Sequence, residues 1–143
     1  MGGLGDIRPP APKASQGSVK GFTLDAGALI AIDRDDRRVL ALVERAQERG
    51  ARITIPATVL AQAIRNPARQ IRLTRLIRQP LVDLVELDGP DATAVGMLLA
   101  RTRTTDIADA HVAICAQRMK QAVVTSDPVD LSKIAPDLRL VAI

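Results

Sequence analysis

Short segments rich in β-branched and aliphatic residues alternate with amphipathic segments along the chain. Five segments have the pattern of strands, and helical periodicity fills the intervals between them. This alternation predicts an α/β fold with a five-stranded, mainly parallel sheet and helices on both faces. The predicted strands cover Phe22 to Leu24, Arg52 to Ile55, residues 81–87, Ala122 to Thr125, and residues 138–143.

The predicted helices carry recognisable end signals. Gly50 closes the second helix, Pro56 opens the helix over residues 57–65, and another helix covers residues 90–103. Thr104 or Thr105 is expected to cap the helix that follows, which runs to about residue 118. Asp106 and Asp109 would lie in its first turns, and their spacing of three residues places both carboxylates on one face.

Five arginines recur at spacings of three or four residues through a predicted helix and the segment before it. This periodicity predicts a one-sided basic stripe. Such a stripe is either a solvated face or a track for phosphate groups or an acidic partner. Its members are Arg65, Arg69, Arg72, Arg75 and Arg78.

Length and composition indicate one globular domain. The chain has 143 residues, of which 47% are hydrophobic and 25% are charged. Residues 1–20 are rich in Gly, Pro and Ser and are predicted to be a flexible tail, so the domain covers residues 21–143. No apolar segment reaches the length of a membrane span, so we expect a cytoplasmic protein.

The charge balance favours a nucleic-acid partner. The formal net charge is +4, and sixteen of the twenty basic residues are arginine, whose planar guanidinium suits phosphate oxygens. Phe22 is the single aromatic residue, so any nucleic-acid contact depends on arginine and phosphate rather than on base stacking. Cys115 has no second cysteine to pair with and is read as a core residue.

Two aspartates come directly after predicted strands. Asp25 follows the first strand and Asp127 follows Thr125 and Ser126 after the fourth. Each could simply cap the next helix, but in a parallel sheet both would lie at the same edge. A cluster of aspartate oxygens that also included Asp109 is the type of site that Mg²⁺ or Mn²⁺ prefers.

Three segments carry a resemblance to a known family: TLDAGALIAI, DAHVAICAQ and VVTSDPVDL. In this order they resemble PIN-domain nucleases, and more narrowly the VapC-type toxins of bacterial toxin–antitoxin pairs. The resemblance implies an endoribonuclease whose Asp25, Asp109 and Asp127 bind Mg²⁺ or Mn²⁺, with Asp106 as a further acid. It also implies an RNA substrate contacted by four residues, namely Arg101, Arg103, Thr125 and Ser126.

The resemblance fails at one position. The family has a glutamate where this chain has Gln62, and a neutral amide is a poorer ligand for a hard cation. Asp106 could compensate for the lost charge, and we then expect Gln62→Glu to tighten metal binding. Alternatively the chain is a PIN-fold binding module with weakened catalysis.

The resemblance also implies two protein partners, a VapB-like antitoxin and a second copy of this chain. An antitoxin arginine would suit the acidic pocket.

The single histidine is not expected to bind a metal ion. His111 lacks a second His or Cys ligand beside it and is read as structural.

A different alternative for the whole chain is a receiver-like domain, since VDLVELDGPD resembles a phosphoacceptor strand with Asp88 as the acceptor.

Overall fold

The structure is a computed structural model that describes residues 21–143, and the predicted tail at residues 1–20 lies outside the described residues. The predicted α/β fold is confirmed, with five parallel strands and seven α-helices among the described residues. The elements in chain order are β1 (Gly21–Leu24), α1 (Ala26–Asp33), α2 (Arg37–Glu48), β2 (Arg52–Pro56), α3 (Ala57–Ala63), a 3-10 turn (Pro67–Arg69), α4 (Ile71–Leu76), β3 (Val82–Val85), α5 (Gly89–Thr102), α6 (Ile107–Met119), β4 (Ala122–Thr125), α7 (Pro128–Ile134) and β5 (Leu140–Ala142).

The sheet order is β3-β2-β1-β4-β5, and every neighbouring pair is parallel. β2 and β3 therefore lie on one side of β1, and β4 and β5 lie on the other side. This reversal of direction lies between β1 and β4, and such a switch point opens a crevice at the carboxyl ends of the two strands. Asp25 and Asp127 follow these two strands, so the topology brings them to the same crevice.

The central strands are buried on both faces. Ile53, Thr54 and Ile55 are consecutive in β2 and are each essentially inaccessible to solvent. Since successive strand side chains point to opposite faces, helices must cover both sides of the sheet. No helix within residues 21–143 has the length and apolar character that crossing a membrane would require.

The two edge strands are shorter than predicted. β3 covers Val82–Val85 instead of residues 81–87, and β5 covers Leu140–Ala142 instead of residues 138–143. An edge strand forms ladder hydrogen bonds with one neighbouring strand only. Apolar residues at its ends that do not pair with this neighbour therefore fall outside the strand. Leu84 is correspondingly 47% exposed on β3.

The five arginines of the predicted stripe lie on α4 and on the segments before and after it. α3 ends at Ala63, and the chain turns through Asn66-Pro67 before α4 begins at Ile71. The buried side chain of Gln70 fixes this turn, because it accepts hydrogen bonds from the amides of Arg65 and Asn66 and donates one to the carbonyl of Ala63.

The five arginines of the stripe are all exposed, but they lie on different elements. Arg65 follows the end of α3, and its guanidinium group donates hydrogen bonds to the carbonyls of Ala61 and Ile64. Arg72 lies 3.5 Å from Asp35 in a surface ion pair. Arg69 lies in the 3-10 turn, and Arg72 and Arg75 lie on α4.

Candidate acidic site

Asp25 is the buried acid of the cluster. It is the N-cap of α1, and its carboxylate accepts a hydrogen bond of 2.8 Å from the amide of Ala28. Its own amide donates to the carbonyl of Val124, which joins the end of β1 to β4. Burial raises the pKa of Asp25, while a hydrogen bond from the Thr125 hydroxyl opposes this increase. A buried carboxylate with a raised pKa is the type of group that a nearby cation would stabilise.

Asp127 approaches Asp25 from β4. It is the N-cap of α7, and its carboxylate accepts from the amide of Asp130 at 3.3 Å. Its amide donates to the hydroxyl of Thr125 at 2.9 Å, which leaves the Thr125 proton free to bond to Asp25. The negative charge of Asp127 also raises the pKa of Asp25. Thr125 therefore connects the two acids.

Asp106 and Asp109 come from α6, but the predicted cap is wrong. The N-cap is Asp106 and not Thr104 or Thr105, and the helix begins at Ile107. The Asp106 carboxylate accepts a hydrogen bond of 2.9 Å from the amide of Asp109. Thr and Asp are both good N-caps, so a run of three such residues does not identify which one caps.

The electrostatics of Asp109 indicate where the acids meet. The pKa of Asp109 is raised to about 6, first by burial and then by repulsion from Asp106, Asp25, Asp127 and Asp130. Four carboxylates from three separate segments therefore act on one side chain. The structure brings the four sequence-predicted acids to one edge of the sheet, and excess negative charge accumulates there.

Sequence reasoning missed Asp130. It lines a cavity of about 310 Å³ together with Asp106 and Asp109, and it lies 3.7 Å from the ammonium group of Lys133. A signal for it was present, because Asp127 and Asp130 repeat the spacing of Asp106 and Asp109. In both pairs the first aspartate caps a helix and the second follows in its first turn.

Close packing holds the edge of the site together at Gly27. A Cβ atom on Gly27 would lie 1.8 Å from Oγ and 2.7 Å from Cβ of Ser126. Any side chain at this position would separate the start of α1 from the segment after β4. Ser126 is exposed beside Gly27, and it lies next to Asp127 in the chain.

The donor set fits a hard cation. Its available ligands are carboxylate and hydroxyl oxygens, which Mg²⁺ and Mn²⁺ prefer. Asp106 and Asp127 each commit one oxygen to a helix amide, whereas Asp25 accepts from the amide of Ala28, the hydroxyl of Thr125 and the amide of Ser126. As the side chains stand, no three His, Cys, Asp or Glu residues in the described part of the chain form a group arranged to hold a metal ion.

The predicted RNA contacts do not line the cavity beside Asp109. Thr125 is also fully buried, so the predicted contact between its side chain and RNA phosphates is wrong. Arg101 and Arg103 are exposed at the end of α5, where Arg103 adopts a left-handed conformation with φ of 57°, and neither lines the cavity beside Asp109. Gln62 is exposed on α3 and lines a groove together with Asp106. The assignment of Gln62 to the place of the family's glutamate stays a prediction.

His111 and Cys115 are core residues, as predicted. His111 is fully buried, its Nδ1 lies 2.8 Å from the hydroxyl of Thr58, and burial lowers its pKa. Cys115 is a buried free thiol, and burial raises its pKa to about 11. Neither residue belongs to the acidic cluster.

The profile of the PIN domain family matches residues 22–135. The chain belongs to the PIN domain family. No curated protein matches the sequence significantly.

Membership of the PIN domain family and the strand order 3-2-1-4-5 overturn the receiver alternative, because a receiver sheet has the order 2-1-3-4-5. Asp88, its suggested phosphoacceptor, caps α5 and accepts a hydrogen bond from the amide of Asp91.

Solved structures show the same fold at low sequence identity. VapBC2 from Rickettsia felis, bound to a DNA fragment from its promoter, is 16% identical with a TM-score of 0.64, covering 85% of this chain and 97% of that one. DNA-bound VapBC from Salmonella typhimurium is 20% identical with a TM-score of 0.62 and the same coverage. FitAcB from Neisseria gonorrhoeae is 18% identical with a TM-score of 0.58, covering 83% and 95%. These likenesses establish the fold of the PIN domain.

Proposed function

We propose that this PIN domain is a metal-dependent endoribonuclease, a VapC-like toxin that hydrolyses RNA phosphodiester bonds. The observation that carries the proposal is the repulsion that Asp25, Asp106, Asp127 and Asp130 exert on Asp109. Like charges held together in a folded protein are costly unless a cation neutralises them. Mg²⁺ or Mn²⁺ is the cation of the proposal.

Each residue of the cluster has a distinct part in this function. Asp25, Asp109 and Asp127 would hold the metal, and Asp106 would supply a further carboxylate. A bound Mg²⁺ or Mn²⁺ supplies an acidified water and neutralises charge on the phosphate. Thr125 holds the orientation of the Asp25 carboxylate through its hydroxyl. Ser126, Arg101 and Arg103 are proposed as contacts for RNA phosphates.

A second candidate function is a PIN-fold binding module without catalysis. The neutral Gln62 favours it, because one charge fewer weakens the affinity for a hard cation, and for a second ion most of all. Such a module would still present its exposed arginines to RNA or to a protein partner. The two candidates differ in whether RNA is cut.

Metal-dependent cleavage tests the proposed function. Purified protein is incubated with structured RNA in Mg²⁺, in Mn²⁺ and in EDTA, beside the variants Asp109→Asn and Asp137→Asn. Asp137 is an exposed aspartate just before β5, at the opposite edge of the sheet, and is the matched control. We expect cuts that need metal, that survive in Asp137→Asn, and that fall about 100-fold in Asp109→Asn, the upper end of the loss typical when a group that supports a metal site is removed.

RNA binding without cleavage by the wild type in either metal would contradict the enzyme and support the binding module. Cleavage that persists unchanged in EDTA or in Asp109→Asn would indicate a contaminating nuclease or a different site. In either case the acidic cluster would lose its proposed role.

The proposed partners are a VapB-like antitoxin and a second copy of the chain, in a cytoplasmic setting. Support comes from the structural neighbours, which are VapBC and FitAB complexes. An arginine of the antitoxin that reaches the acidic cavity would neutralise it and exclude a metal ion. Size-exclusion chromatography with light scattering tests the dimer, and a mass of one chain at micromolar concentration would contradict it.

A further inference from the structure

A buried imidazole is hydrogen bonded to a threonine on the wall of a groove beside the acidic cluster. The hydroxyl of Thr58 lies 2.8 Å from Nδ1 of His111, which is fully buried. The groove measures about 510 Å³ and separates α3 from the start of α6. It shares two residues with the cavity beside Asp109, so the two spaces adjoin. Its lining comprises Thr58, Ala61, Gln62, Thr105, Asp106, Ile107 and Ala108.

The surroundings of His111 determine the direction of this hydrogen bond. Nε2 has no hydrogen-bond partner among the described residues, and it faces the carboxylate of Asp91 at 3.9 Å. A carboxylate at that side favours the neutral tautomer that carries its proton on Nε2, so Nδ1 is the acceptor. The Thr58 hydroxyl therefore donates to His111. This bond uses the hydroxyl proton and neither lone pair, so Thr58 can only accept hydrogen bonds from a group in the groove.

The chemistry of the groove selects its ligand. The lining offers the amide of Gln62, the hydroxyls of Thr58 and Thr105, and the carboxylate of Asp106, but no cation. A phosphate would be repelled by Asp106, whereas a neutral group with a hydrogen-bond donor would be accepted by Thr58. The volume falls in the range of small-molecule sites, which run from about 300 to 1,000 Å³.

We propose that this groove binds the ribose of a nucleotide next to the scissile phosphate, with the Thr58 hydroxyl accepting a hydrogen bond from the ribose 2′-hydroxyl. This inference rests on the proposed function and adds a reason for choosing RNA over DNA, because the 2′-hydroxyl is the group by which a protein distinguishes the two. Thr58 is a binding residue, and His111 is a positioning residue that acts through it.

Substrates that lack single 2′-hydroxyls test the proposal. The wild type, Thr58→Val and Thr58→Ser are compared on an RNA with a mapped cleavage site and on copies that carry one 2′-deoxy nucleotide at each successive position around it. Valine keeps the size of the side chain and removes the hydroxyl, whereas serine keeps the hydroxyl. Thr93→Val is the matched control, since Thr93 is exposed on α5 and its hydroxyl bonds to the carbonyl of Gly89.

We expect one position at which loss of the 2′-hydroxyl slows the wild type about tenfold, the effect of one hydrogen bond. Thr58→Val should be insensitive at that position, while Thr58→Ser and Thr93→Val should behave as the wild type does. Urea unfolding of each variant establishes that it is folded, because Thr58→Val leaves Nδ1 of His111 without its partner.

Two outcomes would overturn the proposal. One is a Thr58→Val variant that discriminates between the substrates as the wild type does, and the other is a wild type that discriminates at no position. If the wild type cleaves no RNA at all, the proposed nuclease function fails separately. The same oligonucleotides are then compared by fluorescence anisotropy in metal-free buffer, and the same criterion of Thr58-dependent discrimination applies to binding.

Discussion

The pKa of Asp109 reports the negative charge of the site. Its pKa lies at about 6 instead of 3.8, so the folded protein holds this proton more tightly than the unfolded chain does. Stability from this group is therefore complete below about pH 4 and is lost as the pH rises through about 6. Above that range the ionised carboxylate destabilises the metal-free fold.

We therefore expect Asp109→Asn to stabilise the metal-free protein at about pH 8, by about 1 kcal/mol after allowance for screening of this half-exposed group. At about pH 3 the variant and the wild type should unfold alike, because the Asp109 carboxyl is then mostly protonated in the folded and the unfolded state. Urea unfolding in EDTA at the two pH values measures the difference, with Asp137→Asn as the control. A variant that is no more stable at the higher pH would show that the acids do not act on Asp109.

The sequence allowed the site acids to be predicted, but not their full set. Asp25 and Asp127 had two interpretations, helix cap or cluster member, and in the structure both descriptions hold, because one oxygen caps while the charge still acts on the neighbouring acids. The spacing of Asp127 and Asp130 repeated that of Asp106 and Asp109, but it did not show that Asp130 acts on Asp109. That effect depends on how α7 packs against α6, and packing between distant segments leaves no local pattern in the chain.

Among the elements, three helices begin with the same Asp-x-x-Asp arrangement. α5, α6 and α7 each start after an aspartate whose carboxylate accepts a hydrogen bond from the amide of a second aspartate three residues on. Only the pairs of α6 and α7 contribute to the acidic site. In α5 the second acid, Asp91, is instead buried in an ion pair with Arg118. The same local motif thus serves structure in one helix and the site in two.

The capping role of Asp88 predicts a purely structural effect. Asp88→Ala should lower the free energy of unfolding by about 1 kcal/mol, because the amide of Asp91 loses its acceptor. Asp88→Asn keeps an acceptor oxygen and should cost only a few tenths of that. RNA cleavage by both variants should match the wild type under conditions where they are folded. Equal stability of Asp88→Ala and the wild type in chemical denaturation would contradict the capping role.

The turn before α4 was predicted only in part. Asn66-Pro67 marked a break between two helices, but no local pattern showed that a side chain seven residues from Ala63 would fix the turn. Gln70 makes that turn, and Asn66 precedes a proline, which disfavours helical geometry for Asn66. The α/β alternation was easier to predict, because buried strands and amphipathic helices differ over their whole length.

At the scale of the whole molecule, a bound cation should couple to folding. A metal that binds only the folded state stabilises it, by about 2.7 kcal/mol when its concentration is 100 times the Kd. We expect Mg²⁺ or Mn²⁺ to raise the Tm of the wild type, to raise it further in Gln62→Glu, and to have little effect on Asp109→Asn. Differential scanning calorimetry across a metal titration measures these shifts.

Gln117→Glu is the control for this titration, because it adds the same charge at an exposed position near the other end of α6. If the metal raises the Tm of Gln62→Glu by the same amount as that of the wild type and of Gln117→Glu, residue 62 does not lie near the cation. A wild type whose Tm is indifferent to both metals would contradict the metal dependence of the proposed nuclease.

The backbone hydrogen bond from Asp25 to Val124 ties the beginning of the domain to its last third. During translation the ribosome delivers Asp25 about a hundred residues before Asp127, and β4 has to insert beside β1 before the two can meet. A nascent chain that has reached only β3 therefore holds a single isolated acid of the cluster. Under the proposed function, this ordering would delay the cleavage of cellular RNA until synthesis of the domain is almost finished.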